Sequence, residues 1–405
     1  MKFTIDPKEL NSALTLAGVV SPEATVNGIA GYLFSVTPTH CQIYSRDADH
    51  VVRVQAPITD LEGEGSFVYP ASATSSFKFV ESAITLESVV EADHYIVKHA
   101  TVDGEGGERS TVDPKLVADC EEDLTSAQSS FDFPVGVLQL ALATVRPYLA
   151  GDGSNAQDAY KTLQIFDASK PEWAAGDGVM FAADNIRAAY FESSSFKGKP
   201  LAIYYKHLPY VQAYLAKAEG AVKVYDSAHM TYFVDAKESA IGVLHNVNRH
   251  TKYSYYPIEK DQYVFRIAKD AMLKPLQYIK AELTEKGRDK VRISYSKDSG
   301  EFRVAMSSST GKSHSRPIRV LQCVQAEPAD FAVNANIDHI LDLFNSVQGN
   351  EVEFRISVVR KGTKDLALFR TIDHFWVGPN GKLVIDGTAP EAIECKVTRF
   401  VPSKD

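Results

Sequence analysis

The sequence predicts an α+β protein of three repeated domains, each with two helices packed on antiparallel sheet. Three observations predict it. The chain has 405 residues, more than one core of ordinary size organises. One order of strand and helix signals runs three times at a spacing of about 130 residues, far beyond solenoid periods. The helical segments each carry a single apolar stripe, which must be buried against a sheet. The domains fall at 1–125, 126–255 and 256–405. Linkers are expected near Glu121–Ser130, which is acidic and Ser-rich, and near Asn248–Asp261.

Each repeat opens with a short alternating strand that runs into a helix. These are FTIDP before KELNSALTLAGVV, FDFP before VGVLQLALATVRPYL, and YVFRI before AKDAMLKPLQYIKAEL. Leu138, Leu142, Val145 and Leu149 form the stripe of the second helix, and Met272, Leu276, Ile279 and Leu283 that of the third. Pro147 and Pro275 predict a kink or a boundary in these two helices. Two strands around a polar turn follow: CQIYSRDADHVVRVQA, GVMFAADNIRAAYFES and EFRVAMSSSTGKSHSRP. A second strand-into-helix unit comes next, in FVYPASATSSFKFVESAI, LAIYYKHLPYVQAYLAKAEG and FAVNANIDHILDLFNSVQGN. More alternating strand, such as AVKVYDSAHMTYFVDA and EVEFRISVVR, closes each repeat.

Composition narrows the function. Hydrophobic residues make up 44% and charged residues 23%, the balance of a soluble globular protein. The opening MKFTIDPKEL lacks a signal-peptide core, and no apolar run reaches bilayer-spanning length, so a cytoplasmic protein without membrane contact is expected. Cys41, Cys120, Cys323 and Cys395 are scattered without a C-x-x-C pair, which reads as buried thiols rather than a disulfide or metal framework. No nucleophile elbow, zinc-protease, P-loop or dinucleotide motif occurs, so catalytic residues, metal and cofactor are all expected to be absent. The glycines of DGEGGE and GDGSN read as turns. The net charge of −9 opposes nucleic-acid binding unless cations are concentrated on one face.

The repeat order resembles the bacterial-type DNA polymerase sliding clamp, the β subunit of the replicative polymerase. MKFTIDPKELNSAL is similar to that family's start, and FAADNIRAA resembles its ATDGHRLA element. NANIDHILDLFNSVQGNEVEF and MLKPLQ resemble phrases of its third domain. The smaller two-domain clamp type is disfavoured by the third repeat. A repeated α+β interaction or assembly module without a DNA role, or an enzyme, stays open as an alternative. The resemblance implies a head-to-tail homodimer ring of six similar domains, with helices facing the hole and sheets outside. It implies duplex DNA bound without regard to sequence, a DNA polymerase and a clamp loader as partners.

The resemblance then assigns residues. Sparse cations facing phosphates suit sliding, because they read no base edges. Lys78, Arg146, Tyr160, Lys161, Lys206, His207, Lys217, Lys269, Lys274 and Lys280 are the DNA candidates, with Lys78 alone on the second helix of the first domain. The ring would close between a first-domain edge carrying Asp103, Glu105, Glu108 and Arg109 and a third-domain edge carrying Lys312, His314, Arg316 and Arg319. This polarity is reversed from the one expected of the family but still complementary. The partner groove would comprise Ala183, Asp184, Asn185, Ile186, Arg187 and Ala188, with Arg399, Phe400 and Val401 from the C-terminal stretch. Arg187 matches the family's arginine; Asn185 and Ile186 depart from its Gly-His, and the tail runs on to Lys404 and Asp405. These departures suggest a divergent clamp, such as a phage-encoded one working in an infected cell.

Overall fold

The computed structural model describes residues 1–22, 30–91, 94–102, 104–110, 127–151, 158–167, 178–184, 186–196, 201–245, 261–282, 289–307, 312–326, 330–361, 364–378, 382–384 and 391–403. Most of both expected linkers, together with Asp103, Asn185 and the last two residues, lies outside them. The chain builds two compact units, Met1–Val135 with Lys206–Val247 and Gly136–Tyr205 with Asn248–Asp405. The second repeat is therefore divided, part of it extending each unit. Five helices occur among the described residues: α1 (Pro7–Ala17), α2 (Val135–Val145), α3 (Leu208–Leu215), α4 (Lys269–Glu282) and α5 (Ile337–Asn345).

Unit 1 is organised by an eight-stranded antiparallel sheet. Its order is Gln128–Pro134, Ala221–Asp226, Met230–Val234, Ala240–Leu244, His50–Pro57, His40–Arg46, Gly31–Val36, Gly65–Pro70. The first four strands come from the second repeat and the last four from the first. They meet where Ala240–Val243 pair with Arg53–His50. A five-stranded sheet holds Thr59–Glu62, Lys2–Ile5, Ile84–Glu91, His94–Thr101 and, at its edge, Gly104–Ser110. α1 starts cleanly because Asp6 accepts from the Lys8 and Glu9 amides and Pro7 occupies the first turn. Its Leu10, Ala13, Leu14 and Ala17 face the core.

The second helix expected in the first repeat is instead a 3-10 segment, Ala71–Phe79. The hydroxyls of Thr74, Ser75 and Ser76 donate to carbonyls three residues back. Such local bonds compete with the α-helical ladder, and ASATSS has little helix propensity to oppose them.

Unit 2 repeats the plan. Its main sheet runs Leu201–Tyr204, Thr162–Asp167, Gly178–Ala183, Ala188–Ser193, Ile393–Pro402, Lys364–Val377, Glu351–Lys361, Tyr263–Ala268, Val320–Ala326. Second-repeat strands meet third-repeat strands where Ala188–Ser193 pair with Phe400–Cys395. A four-stranded sheet orders Ser313–Ile318, Glu301–Ser307, Lys290–Ser296 and Phe331–Asn336, with Ser313–Ile318 at the edge. α4 and α5 pack together over a core that includes Phe265, Met272, Leu276, Ile293, Ile340, Phe344 and Phe354. Pro147 ends α2, which passes into a 3-10 turn at Arg146–Tyr148. Pro275 does not end α4; the helix continues through it, leaving the Ala271 carbonyl without its helical donor.

Candidate functional site

The two seams and the two open edges are one arrangement used repeatedly. In unit 1 the outer strand of a four-strand set (His50–Pro57) meets the outer strand of a hairpin set (Ala240–Leu244). In unit 2, Ala188–Ser193 and Ile393–Pro402 do the same. The third four-strand set ends in Ser313–Ile318 and the third hairpin set in Gly104–Ser110, and each is a sheet edge. An edge presents a row of backbone donors and acceptors to a further strand.

The side chains along these edges are complementary. On Gly104–Ser110, Glu105 is exposed and Glu108 half-buried, while the Arg109 side chain lies outside the described residues. Val102, just before this edge strand, is 86% exposed; Phe79, on the 3-10 segment, is 78% exposed, with the Lys78 ammonium 5.0 Å from its ring centroid. On the other edge Lys312 and Arg316 are exposed and His314 is half-buried. Arg316 lies 4.5 Å over the ring of the exposed Tyr278, and His314 meets the same ring edge-on at 5.8 Å. Phe79, Val102 and Tyr278 were not singled out from sequence, although a large apolar residue exposed beside a charged edge is the usual mark of a contact surface.

The groove candidates in unit 2 separate into two faces. Ala183, Ala188 and Phe400 join Val179, Phe181 and Tyr190 in one apolar cluster, with Tyr160 and Leu368 packed against it. Phe400 meets the Tyr190 ring edge-on at 5.2 Å. Ile186 projects at the turn, 45% exposed. Asp184 shapes that turn by accepting from the Ile186 and Arg187 amides. Its other oxygen accepts from Arg187 Nε at 3.0 Å, while Arg187 Nη1 reaches Asp342 on α5 at 2.7 Å and Nη2 donates to the Pro147 carbonyl. The guanidinium also lies 5.6 Å from the Tyr148 ring centroid. His339, one turn before Asp342, is held below its usual pKa by burial and by Arg187.

Three assignments change here. Arg399 and Val401 alternate with Phe400 along the strand, so they point to the opposite face. Val401 lies in the main core of unit 2, and the fully buried Arg399 donates to the Ser346 carbonyl at 2.5 Å. Tyr160, expected near DNA, packs against the groove cluster, with half-buried Lys161 beside it.

The remaining cation candidates divide by what their head groups touch. His207 is buried against His50 and is not a solvent-facing cation. Lys269 caps α5 by donating to the Asn345 and Val347 carbonyls, and Lys217 donates to the Thr15 carbonyl at 2.6 Å. Lys274 pairs with Asp270 at 2.9 Å, and Lys280 pairs with Asp338. Lys78, Arg146 and Lys206 are exposed.

No model of a protein family matches the chain, and no curated protein matches it in sequence. Solved structures do. The DNA polymerase sliding clamp of Bacillus subtilis superposes with a TM-score of 0.71 at 14% identity, covering 100% of this chain and 99% of that one. The chain has the sliding-clamp fold. The DNA polymerase III β subunit of Thermotoga maritima agrees with a TM-score of 0.66 at 16% identity, over 100% of this chain and 99% of that one. That of Streptococcus pyogenes gives 0.71 at 10% identity over 100% of both. Full coverage in both directions means that all three repeats take part in the clamp fold. Identity this low explains why resemblance survives as the order of elements rather than as motifs.

Proposed function

We propose that this chain is a sliding clamp, a non-enzymatic ring of two copies that encircles duplex DNA and tethers a polymerase. The observation that carries the reading is the unsatisfied third junction. Three repeats, 1–125, 126–255 and 256–405, supply three four-strand sets and three hairpin sets. Among the described residues two joins are made within the chain, and the third pair of edges has no further strand paired to it. A second copy joined head to tail satisfies both open edges at once, and heterologous joins of this kind close into a ring when the rotation permits. The acidic edge of one copy then faces the basic edge of the other, with Phe79 and Tyr278 shielding the join from water.

Exposed Lys78 and Arg146 on 3-10 segments and Lys206 in the turn before α3 supply long-range, sequence-independent attraction to phosphate. The cluster around Phe400 and Ile186, gated by Arg187, receives an apolar segment of the polymerase or of a loading protein. The ring works in the cytoplasm. No helix among the described residues is long and apolar enough to cross a membrane.

Topological retention tests this reading without knowledge of the cognate polymerase. Concentrated protein is threaded onto linear duplex, and the ends are then blocked with a bulky adduct. Retention on blocked duplex and rapid loss from open duplex are expected. Equal loss from both would exclude encirclement.

A further inference from the structure

The seam inside unit 1 carries a buried histidine pair with no counterpart at the unit 2 seam among the described residues. His50 and His207 are 5% and 6% exposed, and His207 Nδ1 lies 2.9 Å from His50 Nε2. Asp47 takes the other side of His50, its two carboxylate oxygens 2.9 and 3.0 Å from Nδ1. Tyr210 of α3 lies against the His50 ring at 3.9 Å between centroids. These contacts fix one donor order in the neutral state. His207 Nδ1–H donates to His50 Nε2, and His50 Nδ1–H donates to Asp47.

The position is mechanical. His50 is the last residue paired across the seam, opposite Val243, and the neighbouring Asp49 carbonyl accepts from the Leu244 amide. This seam runs over four residues on each strand, whereas the unit 2 seam runs over six. At the equivalent turn in unit 2, Arg187 bridges to Asp342 by a permanent charge. At this end the unit 1 seam is therefore tied by a bond between two groups that can both take protons, while Arg53 donates to the Glu238 carbonyl toward its other end.

We propose that the unit 1 seam is an acid-labile hinge, held shut by the His50–His207 bond and released when the pair takes up its second proton. A single added proton on the pair still leaves one facing nitrogen a donor and the other an acceptor. The second proton leaves both facing nitrogens as donors at hydrogen-bond distance, and the contact becomes repulsive. Burial is the main force holding His207 down to about 4, and His50 and Lys206 add to it, while Asp49 and Asp47 oppose it. On the seam strand's far side, His245 is engaged with Asp226 at 2.8 Å.

Amide hydrogen exchange on the full chain tests the hinge. Peptides spanning His50–Pro57 and Ala240–Leu244 are compared with those spanning Ala188–Ser193 and Ile393–Pro402 in the same sample, which cancels the pH dependence of chemical exchange. Between pH 7 and pH 4 the protection of the first pair relative to the second should fall at least tenfold. In His207→Asn the amide keeps a donor near the Nδ1 position without a titratable ring, and the ratio should stay level. A level ratio in the unaltered protein, or the same fall in His207→Asn, overturns the proposal. Imidazole NMR of the unaltered protein gives an independent reading. Seam protection must fall between the range of a free imidazole, about 6.5, and the folded-state titration of His207 that the spectra record, and loss confined to another range also overturns it.

Discussion

Reversing the charge of one edge should abolish self-closure, and two such chains should then rescue each other. The first variant carries Glu105→Lys and Glu108→Lys, so that both its edges are basic. The second carries Lys312→Glu and Arg316→Glu, so that both are acidic. Directly opposed residues on antiparallel strands lie about 5 Å apart, where two unit charges in water interact by about 0.8 kcal/mol. Exposed ion pairs measure about 0.2–1 kcal/mol each. Two pairs per join, each turned from attraction to repulsion, give about 1–3 kcal/mol per join, or about five- to a hundredfold in its equilibrium constant. A dimer ring has two joins, so the effect on dimerisation is the square of that factor. Sedimentation at low salt should find each variant monomeric where the unaltered chain is dimeric. An equimolar mixture should give a heterodimer, since every join then pairs a basic edge with an acidic one. At about 1 M salt the Debye length falls to about 3 Å, and the difference between variants should shrink. If the unaltered chain is monomeric at micromolar concentration, or if both variants dimerise alone as well as together, the assignment of these edges is wrong.

Other outcomes follow from the same contacts. Gly242 sits in the unit 1 seam, where an added Cβ would lie 2.5 Å from the Tyr232 ring and 2.8 Å from Val51. Gly242→Ala should therefore cost about 1–3 kcal/mol in chemical denaturation and lower seam protection in hydrogen exchange. Arg187→Ala should weaken binding of a polymerase-derived peptide, and so should Phe400→Ala. The latter also empties a buried ring and should cost about 3–5 kcal/mol of stability, so the Arg187 variant is the cleaner reading of the site. For pH, burial holds His207 at about 4 against about 6.5 for an unfolded imidazole. The unfolded chain binds more protons between those values, so unit 1 should lose up to about 3 kcal/mol as pH falls from 6.5 to 4 and stay level above. Urea titrations at stepped pH check the sign.

Much of the fold was legible because its signals are local and periodic. Asp6-Pro7 before KEL and Asn336 before IDHILDLF are capping patterns that the structure uses as such. The alternating hairpins around Asp47 and Asp184 fold where their periodicity places them. What failed was decided by competition or by distance. Ala71–Phe79 lies where a repeat-based reading expects a helix, but its hydroxyls bond the backbone instead. Arg399 and Phe400 are adjacent in sequence and point to opposite faces, a distinction that depends on register with Ala188 and Ala189. His207 reads as a surface cation beside Lys206 until His50, 157 residues away, is brought against it. Division of the second repeat between two units has no local signal, because it follows from which sheet each strand extends.

The acidic total and the pairing of several basic candidates bear on how the proposed ring would hold DNA. Of the exposed basic candidates, Lys217, Lys274 and Lys280 donate to a carbonyl or a carboxylate. With a net charge of −9 and these lysines paired, direct affinity for duplex should be weak and its salt dependence shallow. A ring does not need strong attraction, since a closed path around the duplex holds it regardless of contact energy, and strong contacts would slow sliding. Attraction should matter before closure and hardly after it. Replacing Lys78, Arg146 and Lys206 with alanine should therefore slow threading onto open duplex severalfold while leaving residence on end-blocked duplex unchanged. The two rates separate the roles. If residence falls in proportion to threading, these cations hold the DNA themselves, and encirclement is not what retains it.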